Sequence, residues 1–133
     1  MRRVILRHSH GPDGPIPITF GLGDILDALG SRARTATWRG ANLLYTSTDD
    51  DAIAPLDRAA TGEFVPGDEL LAERERLAQL IDGDLEGYAG NERWVIVRAV
   101  DGARWEVASH DPSVITAITR HFSVQDGAEM EIE

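Results

Sequence analysis

Residues 94–108 read WVIVRAVDGARWEVA, and this stretch decides the fold. Two apolar runs flank the dipeptide Asp101-Gly102, which is typical of the type I′ turn between two antiparallel strands. Successive side chains of a strand point to opposite sides, so each run can bury one of its faces. The stretch therefore predicts a β-hairpin with one buried face.

The turn also predicts the register of this hairpin. A two-residue loop aligns three pairs of residues: Val100 with Ala103, Arg98 with Trp105, and Ile96 with Val107. Four large apolar residues then share the face that we expect to be buried: Trp94, Ile96, Trp105 and Val107. In this register Arg98 lies over the Trp105 ring, a geometry that permits a cation–π contact.

Two helices are predicted before the hairpin. Leu22 begins a series of apolar residues at i, i+3, i+4 and i+7, which predicts a short helix that ends at Gly30. Asp68 is a favourable N-cap for a second helix. Its apolar stripe runs as far as Ile81, and we expect it to end at Gly83.

The remaining elements complete a mixed pattern. Asp111 followed by Pro112 predicts the beginning of a third helix, because both residues favour helix initiation at these positions. Strands are predicted at Val4–Leu6, at Thr35–Thr48 with a bend at Gly40, and in the alternating tail 128–133. We therefore predict a single α+β domain over residues 1–133, with an antiparallel or mixed sheet of about 5–6 strands packed by about three helices.

The composition is that of an ordinary globular protein. Of the 133 residues, 42% are hydrophobic and none is cysteine, so disulfides and thiolate metal sites are excluded. No apolar run approaches the roughly 18 residues that span a bilayer, and the N-terminus lacks the apolar segment of a signal peptide. We expect a cytoplasmic protein without a cofactor.

The charge of the chain is strongly negative and unevenly placed. The formal net charge is −10, and residues 41–133 hold twenty acids against seven arginines. An acidic surface repels nucleic acid and anionic lipid and accelerates encounters with basic partners. We therefore expect a protein partner with a basic surface, and neither a membrane nor a nucleic acid.

Asp49, Asp50 and Asp51 are the candidate partner-binding residues. They lie in a polar stretch predicted to be a loop. The alternating acids, glycine and distal Glu of a calcium-binding loop are absent. This leaves two interpretations, a solvated run of charges or an acidic contact for a basic partner.

His8, His10 and Asp13 are the candidate metal ligands. An H-x-H pair at the end of a strand places both imidazoles on one face, where they can bind zinc. Val4–His10 resembles the first strand of metal-dependent amidohydrolases, which implies a small hydrolase. That barrel needs around 250 residues, more than this chain has. A solvated strand end is the alternative.

The sequence contains no pattern typical of a catalytic centre. Ser109 and His110 are adjacent, but no Ser lies in a G-x-S-x-G elbow, and no phosphate-binding loop is present. We therefore predict no catalytic residues, which favours a non-enzymatic role and leaves a metal-dependent hydrolase as an alternative.

Three functional hypotheses follow from these observations. In size, charge and Trp content the chain resembles small acidic immunity and antitoxin proteins of bacteria. That resemblance implies a non-enzymatic domain that inhibits a basic partner, such as a toxin, by occluding it. The alternatives are a metal-dependent hydrolase and a structural or accessory component of a larger assembly.

Overall fold

A computed structural model describes residues 2–7, 10–11, 14–15, 21–46, 54–72, 79–101, 104–121 and 130–131. Its helices are α1 (Leu22–Ala28), α2 (Ser31–Thr35), α3 (Ala54–Ala60), α4 (Gly67–Ala72) and α5 (Pro112–His121). Its strands are β1 (Arg2–Arg7), β2 (His10–Gly11), β3 (Gly14–Pro15), β4 (Thr37–Thr46), β5 (Val65–Pro66), β6 (Gln79–Ala89), β7 (Glu92–Val100), β8 (Arg104–Ser109) and β9 (Met130–Glu131). Within these ranges, no helix is long and apolar enough to cross a membrane.

One antiparallel sheet organises the fold. Its strand order is β5-β4-β6-β7-β8-β1-β9, and two residues are described in each of the two edge strands. Strands β6, β7 and β8 are neighbours in both sequence and space, as expected for antiparallel strands joined by tight turns. The predicted α+β class is confirmed, with five short helices in the described ranges where about three were expected.

The β7–β8 hairpin is present, but its register differs from the predicted one. Val100 pairs with Arg104, so three residues connect the strands instead of two. Asp101 takes a left-handed conformation with φ of 53°. Three-residue loops are the next most common hairpin connection after two-residue ones. The predicted pairing was therefore wrong by one residue.

This shift changes which hairpin residues face the helices. Trp94 and Trp105 are 7% and 6% exposed, so their predicted burial is confirmed. Val97, not Ile96, lies opposite Val107 and joins the core that the helices cover. Ile96 instead forms a small separate cluster on the other face, and its predicted place in the core was wrong.

A β-bulge turns Trp94 toward the core. The register jumps from Gly87–Val95 to Tyr88–Arg93, which leaves Trp94 as the extra residue. Its ring meets the ring of Trp38 edge-on, with the centroids 6.2 Å apart. Both indoles therefore belong to the same buried cluster.

The predicted second helix does not extend to Ile81 and Gly83. Helix α4 is described over Gly67–Ala72, and Ile81 and Gly83 lie in strand β6. Gly83 has φ of 116°, and a Cβ there would lie 2.6 Å from the carbonyl oxygen of Asn42. Gly83 thus allows β4 and β6 to approach closely, and its predicted role as a helix end was wrong.

Strand β4 is bent beyond the predicted point. Its pairing with β6 is interrupted between Ala41 and Leu44, and Asn42 has φ of 57°. The irregularity therefore lies after Gly40, which stays paired with Leu85. Asn tolerates the left-handed conformation that this bulge requires.

Trp38 lies at the centre of the core. Its side chain is fully buried, and its Nε1 donates a 3.0 Å hydrogen bond to the carbonyl oxygen of Ala33 in α2. All five helices contribute buried residues to this one cluster, among them Leu26, Ala33, Leu56, Leu70 and Ile118. The helices therefore cover one face of the sheet.

We predict that Gly67→Ala strongly destabilises the protein. The Gly67 N–H donates to the Ala36 carbonyl oxygen at 2.8 Å, and a Cβ on Gly67 would lie 1.7 Å from the Ala33 carbonyl oxygen. No side-chain rotation relieves a clash with backbone, so the free energy of unfolding should fall by about 3 kcal/mol or more.

Gly21→Ala is the control for this substitution. A Cβ there meets nothing within 4 Å, so the cost should stay below about 1 kcal/mol. Denaturant unfolding of both variants measures the difference. Equal stability of the two variants would contradict the close contact between α2 and α4.

Candidate protein-binding surfaces

The residues singled out in the sequence lie mostly outside the described ranges. His8, Asp13 and the run Asp49–Asp51 are not among the described residues, and only the backbone of His10 is described. Both site hypotheses therefore stay predictions. Among the residues that the structure does describe, no three His, Cys, Asp or Glu side chains form a group that could hold a metal ion.

The sheet face opposite the helices is rich in charged side chains, and we call it the charged face. The strand pairing places five described arginines there, Arg3, Arg39, Arg93, Arg98 and Arg104, with the acids Asp82, Asp84, Glu86 and Glu106. Cross-strand neighbours on this face are mostly of opposite charge, which stabilises the sheet. Among the side chains that the structure describes on this face, five are positive and four are negative.

Glu106 is the most buried charged group on the charged face. Its side chain is only 3% exposed. It accepts a hydrogen bond from Arg3 Nη1 at 2.7 Å and one from Arg104 Nε at 3.1 Å, and Arg98 Nη1 lies 3.6 Å away. A buried carboxylate is tolerated when cations and donors surround it in this way.

Arg98 links Glu106 to Asp84. Its Nε and Nη2 donate to the two carboxylate oxygens of Asp84 at 2.7 and 3.3 Å, and this bidentate pair raises the pKa of Arg98. Arg98 lies opposite Glu106 in the hairpin, on the face away from Trp105. The predicted contact between Arg98 and the Trp105 ring was therefore wrong.

An aromatic cluster occupies the β5 edge of the charged face. Phe64, which is 47% exposed, meets the Tyr88 ring edge-on at 5.2 Å. The Arg39 guanidinium lies 5.1 Å from the Phe64 centroid and donates to the Tyr88 hydroxyl at 2.9 Å. Glu86 accepts from Tyr88 and from Arg93, both at 3.1 Å. These contacts hold an exposed aromatic ring in one orientation.

The outer surface of the helices is acidic, and we call it the acidic helix layer. Six exposed acids lie on α1, α3 and α4 and on the loop before β5: Asp24, Asp27, Asp57, Glu63, Asp68 and Glu69. Arg58 bridges Glu63 and Glu69, and these hydrogen bonds raise its pKa. Acids outnumber arginines here, so the two sides of the molecule differ in charge.

Arg32 joins α2 to the beginning of α5. Its guanidinium lies 4.4 Å from the centroid of Trp94 and donates a hydrogen bond to Asp111. Asp111 also caps α5 by accepting from the Ser113 N–H at 2.9 Å, which confirms its predicted place at the helix start. The bond from Arg32, together with those from Ser113, lowers the Asp111 pKa to about 2.

The perturbed pKa values on the described residues lie far from neutrality. Burial and a hydrogen bond to Asp57 raise the Tyr45 pKa to about 12, whereas the Asp111 pKa is lowered. A general acid or base works best when its pKa is near the operating pH. Around neutral pH Asp111 therefore stays ionised and Tyr45 stays neutral.

Glu106 is the residue that the sequence reasoning missed. Arg104 and Glu106 alternate with Trp105 and Val107 along β8, so the sequence already places the two charged residues on the face away from the indole. The incorrect hairpin register paired Arg98 with Trp105 and hid this arrangement. This alternation of charged and apolar residues along β8 predicts a charged face.

Comparisons with protein-family models, with curated proteins and with solved structures find no significant match to this chain. The chain's own contacts are therefore the basis for assigning a function.

We predict that Asp111→Asn lowers the free energy of unfolding at pH 7 by about 1 kcal/mol or less, since the ion pair with Arg32 is partly exposed. Asn retains the helix cap, so only the charge is removed. Because folding lowers the Asp111 pKa from 3.8 to about 2, the stabilisation is present above about pH 4 and is lost as the pH falls toward 2.

Denaturant unfolding at several pH values measures this difference. The difference in the free energy of unfolding between wild type and Asp111→Asn should become smaller as the pH falls from 4 to 2. A gap that stays constant over this range would contradict the ion pair.

Proposed function

We propose that this chain is a non-enzymatic protein-binding domain that occludes a partner with a basic surface. An immunity or antitoxin protein that blocks a basic toxin is the sharpest form of the proposal. The observation that carries it is the acidic helix layer, where six exposed acids lie on three neighbouring helices and an adjoining loop.

Electrostatic complementarity explains why this surface favours a basic protein partner. Charges distributed over one side of a protein attract an oppositely charged partner over a distance of about a Debye length and speed correct encounters. The ion pairs of Arg58 hold Glu63 and Glu69 in place. Part of the acidic helix layer is therefore ordered before a partner arrives.

The acidic run of the sequence adds to the same proposal. Asp49, Asp50 and Asp51 come shortly before α3, which itself carries the exposed Asp57. Their proximity in sequence to α3 favours a role in the same interaction.

We predict that association with the native partner is electrostatically steered. Its rate constant should fall steeply between 0.1 and 1 M salt, since the screening length shrinks from about 10 to about 3 Å, while dissociation changes little. Replacing Asp49, Asp50 and Asp51 by Asn should slow association at low salt by about tenfold or more, with nearly unchanged stability.

The matched control is the triple variant Asp82→Asn, Glu92→Gln and Asp101→Asn. It removes the same amount of charge from exposed acids outside the acidic helix layer. A partner obtained by co-purification or from the gene neighbourhood provides the assay. Equal association rates for both variants and wild type, or an acidic partner, would contradict the proposal.

A further inference from the structure

Three guanidinium groups converge around Glu106 on the charged face. Arg3 and Arg104 hydrogen-bond its carboxylate, and Arg98 lies within ion-pair distance while holding Asp84. The cluster therefore contains three positive and two negative charges. This local excess of positive charge contrasts with the net charge of −10 of the whole chain.

The buried carboxylate orients these guanidinium groups. A guanidinium has five N–H donors, and the contacts of Arg104 with Glu106 use only its Nε. Among the described residues, no acceptor binds either Nη of Arg104, whose side chain is 37% exposed. The two Nη atoms of Arg104 thus leave four N–H donors available at the surface.

A small cavity lies beside these groups. It has a volume of about 10 Å³ and is lined by Arg3, Ile96, Arg98, Glu106 and Ala108. That volume is close to what one water-sized group needs. Ile96 and Ala108 form an apolar floor, and reduced solvation strengthens charge-assisted hydrogen bonds.

We infer that this cluster binds a phosphate-type oxyanion, either free or as a monoester. One oxygen of the anion enters the cavity, and the others accept hydrogen bonds from Arg98 and Arg104. Glu106 holds the guanidinium groups in place, and their surplus charge outweighs its repulsion of the anion. Several converging guanidinium groups suit the three free oxygens of a phosphate monoester better than the two of a carboxylate.

This site does not depend on the proposed function. It lies on the charged face, away from the acidic helix layer, and needs no protein partner. Either assignment can therefore fail without affecting the other.

The test is a titration of the whole protein with inorganic phosphate and with phosphoserine at constant ionic strength, with sodium chloride as the reference salt. The arginine Nε–Hε signals in NMR spectra report binding at each guanidinium. We expect saturable shifts for Arg98 and Arg104 with at least one of the two phosphates. The phosphate that saturates identifies the source of the ligand.

Arg104→Gln should weaken the binding by about tenfold, the effect of losing one or two charge-assisted hydrogen bonds. Arg93→Gln is the matched control, because Arg93 is an exposed arginine on the same face that pairs with Glu86, whereas the ion-pair partners of Glu106 are Arg3, Arg98 and Arg104. The Arg93→Gln variant should bind phosphate as tightly as the wild-type protein does. Denaturant unfolding checks that both variants are folded.

Three outcomes would overturn the inference. The first is chemical-shift changes that rise linearly with the phosphate concentration and equal those caused by sodium chloride. The second is an equal loss of binding in Arg93→Gln and Arg104→Gln, which would indicate general attraction to the face. The third is saturation by acetate at lower concentrations than by either phosphate.

Discussion

The indole of Trp38 determines how the helices lie against the sheet. It is fully buried, and its hydrogen bond to the Ala33 carbonyl oxygen joins β4 to α2. Gly87 makes room for it across the sheet, since a Cβ there would lie 3.0 Å from the ring. Trp94 packs edge-on against the same indole, and the Arg32 guanidinium lies over the Trp94 ring. The remaining helices pack around this fixed arrangement.

A sheet covered on one face only leads to two surfaces of different charge. The helices turn their apolar residues inward and their acids outward, which forms the acidic helix layer. The charged face carries the arginines, whose long side chains cover Ile96 and Ala108 while their guanidinium groups pair across strands. The surfaces proposed for a protein partner and for an oxyanion therefore lie on opposite sides of the molecule.

Local signals in the sequence predicted some of this fold well. The hairpin and the helix start at Asp111 depend on neighbouring residues, and these predictions are confirmed. The predicted burial of Trp94 is also confirmed, but it depends on the β-bulge against β6 and not on the simple alternation of the strand. The register of the hairpin and the existence of strand β6, in contrast, depend on contacts with other strands of the sheet. In the sequence Gly83 resembles the end of a helix. Its actual role depends on its close approach to Asn42 of strand β4, which the sequence does not show. Cross-strand contacts such as those of Glu106 likewise require the correct register.

The most direct measurement is hydrogen exchange of the Trp38 indole N–H by NMR. Because this donor is fully buried and hydrogen-bonded, it should exchange only when the whole protein unfolds, with a free energy equal to that of global unfolding. The Trp94 indole N–H, which finds no acceptor among the described residues, should exchange faster. Exchange of Trp38 as fast as that of Trp94, or faster, would contradict its central place in the fold.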